Sequence, residues 1–420
     1  MGQPPLTGLR VLDLSHNLAG PLTAMHLGDL GADVIKVERP TGDEWRLHER
    51  MPGQPDRSRH HMQANRNKRA VCLDLTMPSA REVLRELIAR ADVLVTNMRP
   101  GVPERLGFGW EEAHALNPGL VYCALSAFGA EGPRGGRPGY DLLGEALAGF
   151  MPPSQATDDR PPASSPIPIN DTALPLLACT AIMAALIERG RTRRGQRVDA
   201  SILGAAVALN AHSLVRVESL PGHGVPTFSR AFYRAYRTSD GWIAVAAYAE
   251  RLAVRLCALL GLAGLLAEPP WDDRAARVTR EAELVALFAP RIAARTTAEW
   301  DEAMAAAGVP AAPVRERDEL FDDEQAWALG LLERVDDDEV GPMTMTAPVV
   351  RLSDTPGRIR FTGRHLGADT REVLRELGRS DVEIDGLHAE GAAFSLDRAS
   401  IVDEGRAGAE SGGSRGAPEG

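Results

Sequence analysis

The stretch "GLRVLDLSHNLAGPLTAMHLGDLGADVIKVERP", residues 8–40, decides the fold. Apolar residues crowd the segment up to Leu14, a short polar loop follows, Pro21 opens a helix that closes near Gly31, and Val34 to Val37 make a second apolar run. Proline suits the first turn of a helix and glycine the position just past its end, so the pattern reads strand, helix, strand. It recurs: "AVCLDL" is a strand, "PSAREVLRELIARA" an amphipathic helix, "DVLVTNM" a strand, "EEAHALN" a helix and "LVYCALSAFG" a strand. Such alternation predicts an α/β fold, a parallel sheet with helices on its faces.

The composition suits a soluble globular protein with a sizeable core: 420 residues, 44% hydrophobic and 25% charged. A formal charge of −11 opposes sequence-independent binding to nucleic acid, which needs a basic face. The N-terminus lacks a basic region followed by an unbroken apolar core, so no signal peptide is expected and the cytoplasm is the expected location. The apolar run 172–187 is short for a bilayer and contains Pro175, so a buried helix is expected and no membrane partner. Cys72, Cys123, Cys179 and Cys257 are far apart in apolar surroundings and are expected to be reduced. The ten histidines show no HxxxH or HExxH spacing, so no metal is expected.

Further along, "RTRRGQRVDASILGAAVALNAHSLVRV" places Asp199 as the cap of a small-residue helix, and "LPGHGVPTFSR" is a glycine and proline connection that marks a boundary. Beyond it, residues 228–325 read as a smaller α/β domain. From residue 392 to 420 the chain is mostly Ala, Gly, Ser, Arg and Glu without apolar periodicity, and a disordered tail is expected.

The first loop, "SHNLAGP", has one glycine where a dinucleotide fingerprint needs G-x-G-x-x-G, and neither a G-x-x-x-x-G-K-[ST] loop nor a G-x-S-x-G elbow occurs. What remains is a set of cations at strand ends and loops: Arg39, Arg66, Lys68, Arg69, Arg99 and Arg105. Ligands of open α/β sheets gather at the carboxyl ends of strands, so these cations either converge on an anion or are solvated surface residues. A second feature is "PIPINDTALPLLACTAIMAALIERG", residues 166–190, where Asp171 stands alone between a proline-punctuated strand-like piece and a helix with no other acid before Glu188. Taken by itself, Asp171 reads as the N-cap of a helix starting at Thr172.

The segments "HNLAGPLTAMHLGDLGADVIKVERP", "NRNKRAVCLDL", "DVLVTNMRPGVPERLGF", "NPGLVYCALSAFGAEGP", "RGQRVDASI" and "YRTSDGW" resemble, in the same order, those of the family III CoA transferases, the CaiB/BaiF family that includes the α-methylacyl-CoA racemases. The similarity runs from residue 8 to 392. It implies a large Rossmann-like domain made from both ends of the chain (1–227 with 326–391), a small inserted domain, and two subunits linked as interlocked rings. It also implies that His16, Asn17 and Ala19 lie along the adenine and ribose of CoA, that Arg39 and Arg105 face its phosphates, and that Leu73, Thr76, Asn97 and Met98 line the rest. Thr76 stands where a relative has a lysine.

By the same resemblance Asp171 holds the place of the nucleophilic carboxylate, and the chemistry is CoA transfer from an acyl-CoA to a free carboxylic acid with no permanently bound cofactor; Tyr140 reads either as a hydrogen-bond partner of a substrate carbonyl or carboxylate or as a half-buried ring packing beneath its loop. The racemases carry "GHD" where this chain has "GYD", and a glutamate near Ala249, with Glu250 one residue away. Tyrosine, with an ordinary pKa near ~10, is a poor base at neutral pH, so transfer leads, with racemisation and a non-catalytic CoA-binding relative as the alternatives.

Overall fold

In the computed structural model the described residues are 2–49, 51–157, 159–219 and 228–395. They divide into two compact units, Met1–Val215 with Trp327–Gly420, and Arg216–Ala326. The insertion expected over 228–325 sits inside the second unit. The "PGHGVP" connection lies outside the described residues.

In the first unit, β1 (Arg10–Asp13), β2 (Asp33–Glu38), β3 (Lys68–Leu73), β4 (Val93–Thr96), β5 (Val121–Ser126) and β6 (Arg197–Ser201) pair in parallel in the order β3-β2-β1-β4-β5-β6. Side chains alternate between the two faces of a strand, and here both faces are buried. Leu12, Ile35, Leu94 and Tyr122 join one core cluster, while their neighbours Val11, Val34, Val93, Val95, Val121 and Cys123 join the other.

The helices are α1 (Ala19–Asp29), α2 (Arg59–Ala64), α3 (Pro78–Ala89), α4 (Val102–Leu106), α5 (Trp110–Leu116), α6 (Asp141–Ala148), α7 (Ile169–Thr192) and α8 (Ile202–Leu209). The amphipathic α3 covers the first face with Val83, Leu84 and Leu87; α1 and α7 cover the second, α7 through the stripe Leu174, Ala178, Ile182 and Ala185. Spacings of three and four put that stripe on one side of the helix.

Four expectations change. Helix α7 starts at Ile169 with Pro168 at its N-cap, so the strand-like piece before Asp171 is shorter than expected and Asp171 lies inside the first turn. A proline tolerates this place because no intrahelical bond needs its missing N–H. Asp199 sits within β6, and Ser201 caps α8 by accepting the Gly204 N–H at 3.0 Å. The run expected as a short buried helix spans 24 residues, long and apolar enough by length and composition to cross a membrane, and only 33% of its most apolar window is buried. Residues 392–394, expected in a disordered tail, are ordered. Ala392 is fully buried and its carbonyl accepts the Asp74 N–H at 2.9 Å, and Ala393–Phe394 pair antiparallel with β3, Ala393 opposite Leu73. Pairing at a sheet edge supplies the backbone bonds that composition does not advertise. Residues 396–420 lie outside the described residues.

The segment after β2 is fastened by buried charge. Arg46 pairs with Glu38 at 2.5 Å and Asp56 at 3.2 Å, and Arg57 reaches Asp337 at 3.1 Å on the hairpin Leu332–Asp337 and Gly341–Thr346. His365 bridges Asp56 and, at 2.7 Å, Glu339. The four cysteines are free thiols, Cys179 half-buried and the others buried.

The second unit has an antiparallel sheet of β7 (Tyr233–Arg237), β8 (Trp242–Ala246) and β9 (Ala311–Pro313), with α9 (Glu250–Leu259), α10 (Arg274–Thr279), α11 (Glu281–Ile292) and α12 (Thr297–Ala306) around it. Phe232, Leu256, Phe288 and Trp300 form its core.

Candidate active site

The loop after β1 is built on a buried ion cluster. Asp13, the last residue of β1, accepts from Lys68 at 2.8 Å, and Lys36 lies 3.9 Å away. Burial pushes the Asp13 carboxyl up, but the two ammonium groups outweigh it and hold the net value below the usual carboxylate range. Lys36 also donates to the Ser15 carbonyl at 2.9 Å and to Asp43 at 3.3 Å, and Asp43 accepts the Asn17 N–H at 3.1 Å. The Asn97 side chain brackets His16, accepting its N–H at 2.9 Å and donating to its carbonyl at 2.7 Å. Asn17 can therefore be held at φ 63, a left-handed conformation that asparagine tolerates.

Asp171 comes from the opposite side. Its place in α7 leaves its N–H, like that of Asn170, without an intrahelical acceptor, and both donate to one oxygen of Asp141, at 2.9 and 2.6 Å. Pro175, four residues on, has no N–H to give to the Asp171 carbonyl. Burial, then the charge of Asp141, raises the Asp171 carboxyl to about 6. A helix N-terminus ordinarily favours the ionised form; here desolvation and a like charge win. Glu145, one turn along α6, is buried, accepts the Ser165 N–H at 2.7 Å and is also raised, chiefly by burial.

One cleft of about 150 Å³ collects His16, Asn17, Ala19, Asn97, Met98, Tyr140 and Asp171, with Arg99, Arg137, Leu174 and Ile202 in its wall. Burial keeps the His16 imidazole below its usual value, so it is neutral near pH 7. Tyr140 is 67% exposed at the start of α6. Neither Arg99 nor Arg137 pairs with a carboxylate among the described residues.

The other expected residues lie elsewhere. Arg39 is exposed, donating to the Gly42 carbonyl at 3.3 Å with Glu44 at 3.7 Å. Arg105 is in the last turn of α4 and exposed. Leu73 is a core residue, 1% exposed, and the Thr76 hydroxyl donates to Asp74 at 2.6 Å. Three of the cations read as either anion contacts or solvated surface residues are engaged in ion pairs instead: Arg66 with Asp29 at 2.7 Å, Lys68 with Asp13, and Arg69 with Asp33 at 2.7 Å. Their backbone stands before or at the start of β3, and only the Lys68 side chain among these three reaches the carboxyl end of a strand, where Asp13 holds it. Ala249 is the N-cap of α9, and Glu250 accepts from Arg277 at 2.9 Å and Arg274 at 3.1 Å, which holds it below the usual carboxylate range.

Sequence reasoning missed Asp141 as a partner of Asp171, since 30 residues separate them and no local pattern links a carboxylate to a distant helix start. It also missed that His48 and Glu49, exposed on a turn, and the half-buried His60 in α2 bring ligand atoms within 4.8 Å of one another, because the residues are not regularly spaced.

A model of the family described as CoA-transferase family III matches residues 6–370. The chain is 32% identical to the mouse succinyl-CoA:glutarate CoA-transferase, over 90% of this chain and 87% of that protein. It is 35% identical to the succinyl-CoA–D-citramalate CoA-transferase of Chloroflexus aurantiacus, over 89% and 94%. Among solved structures, a CaiB/BaiF family protein from Brucella suis superposes with a TM-score of 0.79 at 30% identity, covering 90% of this chain and all of that one.

Proposed function

The chain belongs to CoA-transferase family III, and from that premise we propose that it moves CoA from an acyl-CoA thioester to a free carboxylic acid with Asp171 as the covalent nucleophile. One observation carries the reading: a half-buried carboxyl, raised to about 6, faces the same cleft as His16, Asn17 and Tyr140. Such a group is ionised at neutral pH yet more basic than a free aspartate, which suits attack on a thioester carbonyl.

The steps balance without an added reagent. The Asp171 carboxylate attacks the donor carbonyl, the C–S bond breaks, and CoA thiolate leaves a mixed anhydride. The thiolate attacks the Asp171 carbonyl, forming an aspartyl-CoA thioester and releasing the donor acid. The acceptor carboxylate displaces CoA to make a second anhydride, and the thiolate then takes the acceptor acyl group, freeing Asp171. Tyr140 lines the cleft, where its hydroxyl can serve as a donor to developing oxyanions, and Arg99 and Arg137, without a carboxylate partner among the described residues, suit an anionic thioester or acid.

The assembly we propose is a homodimer. Leu142, Leu143 and Leu147 of α6, Leu176, Leu177 and Ile187 of α7, and Val207 and Leu209 of α8 are all exposed in the single chain. Apolar area on this scale marks an interaction surface, and the resemblance to interlocked family members supplies its occupant, a second copy.

The test is incubation with succinyl-CoA and a panel of acids, with glutarate and D-citramalate first because they appear in the relatives' names. New CoA esters, and a mass shift on Asp171 trapped during turnover, are the expected result. An Asp171→Ala enzyme that turns over undiminished removes this residue from the mechanism. Deuterium uptake at the α-carbon without an acceptor turns the reading to racemisation.

A further inference from the structure

We propose that Asp141 is the positioning residue of this site: its carboxylate fixes the first turn of α7 and stands as the negative neighbour against which Asp171 ionises. This rests on the reading of Asp171 as nucleophile, but its geometry stands apart from any activity.

The N-cap of α7 is Pro168, which has no side chain to satisfy the free N–H groups of the first turn. A cap normally comes from the residue at the helix start. Here it arrives from another helix, as one Asp141 oxygen accepts from Asn170 at 2.6 Å and Asp171 at 2.9 Å. Asp141 is itself immobilised. It is 9% exposed, and its carbonyl accepts from the Asn170 side chain at 3.2 Å. A Cβ on Gly144 would stand 2.6 Å from Ile202 and 3.1 Å from the Asn170 amide, so the approach of α6 to α7 and α8 requires a bare glycine there. The backbone carrying the nucleophile is thus fixed to a charged side chain rather than to solvent.

The same contact is electrostatic. Burial and the charge of Asp141 together raise the Asp171 carboxyl. The other ionisable groups facing the cleft or the cap are His16, Arg99, Arg137, Tyr140 and Glu145. His16 is kept neutral by burial, and the two arginines are exposed, where solvent screens them. Glu145 accepts from the Ser165 N–H and shares a side-chain hydrogen bond with Asp141, whose charge helps to raise it, so it faces Asp141 as a second carboxyl. Asp141 is therefore the group that couples position to charge.

Asp141→Asn tests this, because the amide keeps an acceptor oxygen for both N–H groups and removes the charge. In 13C-aspartate-labelled protein, the Asp171 carboxyl resonance is assigned by its loss in Asp171→Asn and titrated in both backgrounds. The expected result is a lower titration midpoint in Asp141→Asn, by up to about one pH unit because burial is the larger cause of the shift, with the acid limb of kcat/KM moving alongside it. The KM for the CoA thioester stays near the parent value while kcat falls. Asp141→Ser, which also lacks charge but keeps a hydroxyl acceptor, gives the same reading if the asparagine variant does not fold. An unmoved Asp171 midpoint in the folded variant overturns the proposal. A midpoint that moves in a protein making no CoA ester leaves the positioning role intact and sinks the transferase reading instead.

Discussion

The side-chain amide of Asn97 holds His16 by both ends of its backbone, taking the N–H at 2.9 Å and giving to the carbonyl at 2.7 Å. It joins the loop after β1 to the loop after β4, the two strands between which the sheet order reverses, and ligands of open α/β sheets bind at that crevice. Asn97→Ala removes two hydrogen bonds, each worth about 0.5–1.5 kcal/mol, and is expected to weaken CoA binding by roughly tenfold without changing kcat comparably. Calorimetric titration with CoA measures it; an unchanged affinity places the ligand elsewhere.

Asp171 costs stability. Its folded value near 6 lies above the ordinary aspartate value of 3.8, so between those pH values the folded chain keeps a proton that the unfolded chain has lost. Stability therefore falls as pH rises from about 4 to 6, and the full cost, up to about 3 kcal/mol, is present above that. Asp171→Asn is expected to raise the melting temperature at pH 7 while abolishing transfer, with the gain vanishing below pH 4. Equal melting temperatures at pH 7 would contradict it.

His365 works the other way. Burial pushes its imidazole down, but hydrogen bonds to Asp56 and Glu339 prevail and leave it raised above 6.5. Its stabilisation is complete below that value and is lost as pH rises through the folded one. Denaturant midpoints are expected to decline from pH 6.5 into the alkaline range, and His365→Gln to lower the midpoint at pH 6 and flatten that decline. A parallel decline in the variant assigns the effect to another group.

Lys68 is buried beside Asp13, and its removal leaves that carboxylate with Lys36 at 3.9 Å as its remaining ammonium neighbour. Breaking a buried pair from one side costs about 3–5 kcal/mol. Lys68→Met is expected to lose that much, and Lys68→Met with Asp13→Asn to lose less than the sum of the two single changes. Additive losses in urea melts would mean that the pair does not act as a unit.

The exposed leucines of α7 give the assembly its test. Leu177→Lys with Ile187→Lys is expected to convert a dimer of 45.1 kDa chains to monomers in light scattering, whereas a parent protein already monomeric would refute the proposed interface.

The sheet was legible in the sequence because every strand from β1 to β5 is an apolar run bounded by polar or glycine-containing turns, and both faces of each are covered. The start of α7 was misread for a local reason: Pro166 and Pro168 suggest extended chain, while the partner that lets the helix begin early, Asp141, is set by tertiary approach through Gly144. The ion pairs of the buried cations, neither anion contacts nor solvated surface, were hidden for the same reason. Nothing near Arg66 or Lys68 announces Asp29 or Asp13, which are brought in from α1 and β1. Of the candidate site, the residues in loops after β1 and β4 and the lone acid of α7 gathered in one cleft, since strand ends and helix starts are where the order of the sheet puts them.

Because Ala393 lies against Leu73, the outer border of β3 stays bare until a segment about 320 residues further along the chain has been synthesised. A nascent chain must therefore carry an open row of amide and carbonyl groups through that stretch of synthesis, a ready template for neighbouring copies on the same message. Shortening the gene by a few dozen codons, harmless if they encoded only a loose appendage, would leave that border permanently unsealed once residue 393 is lost.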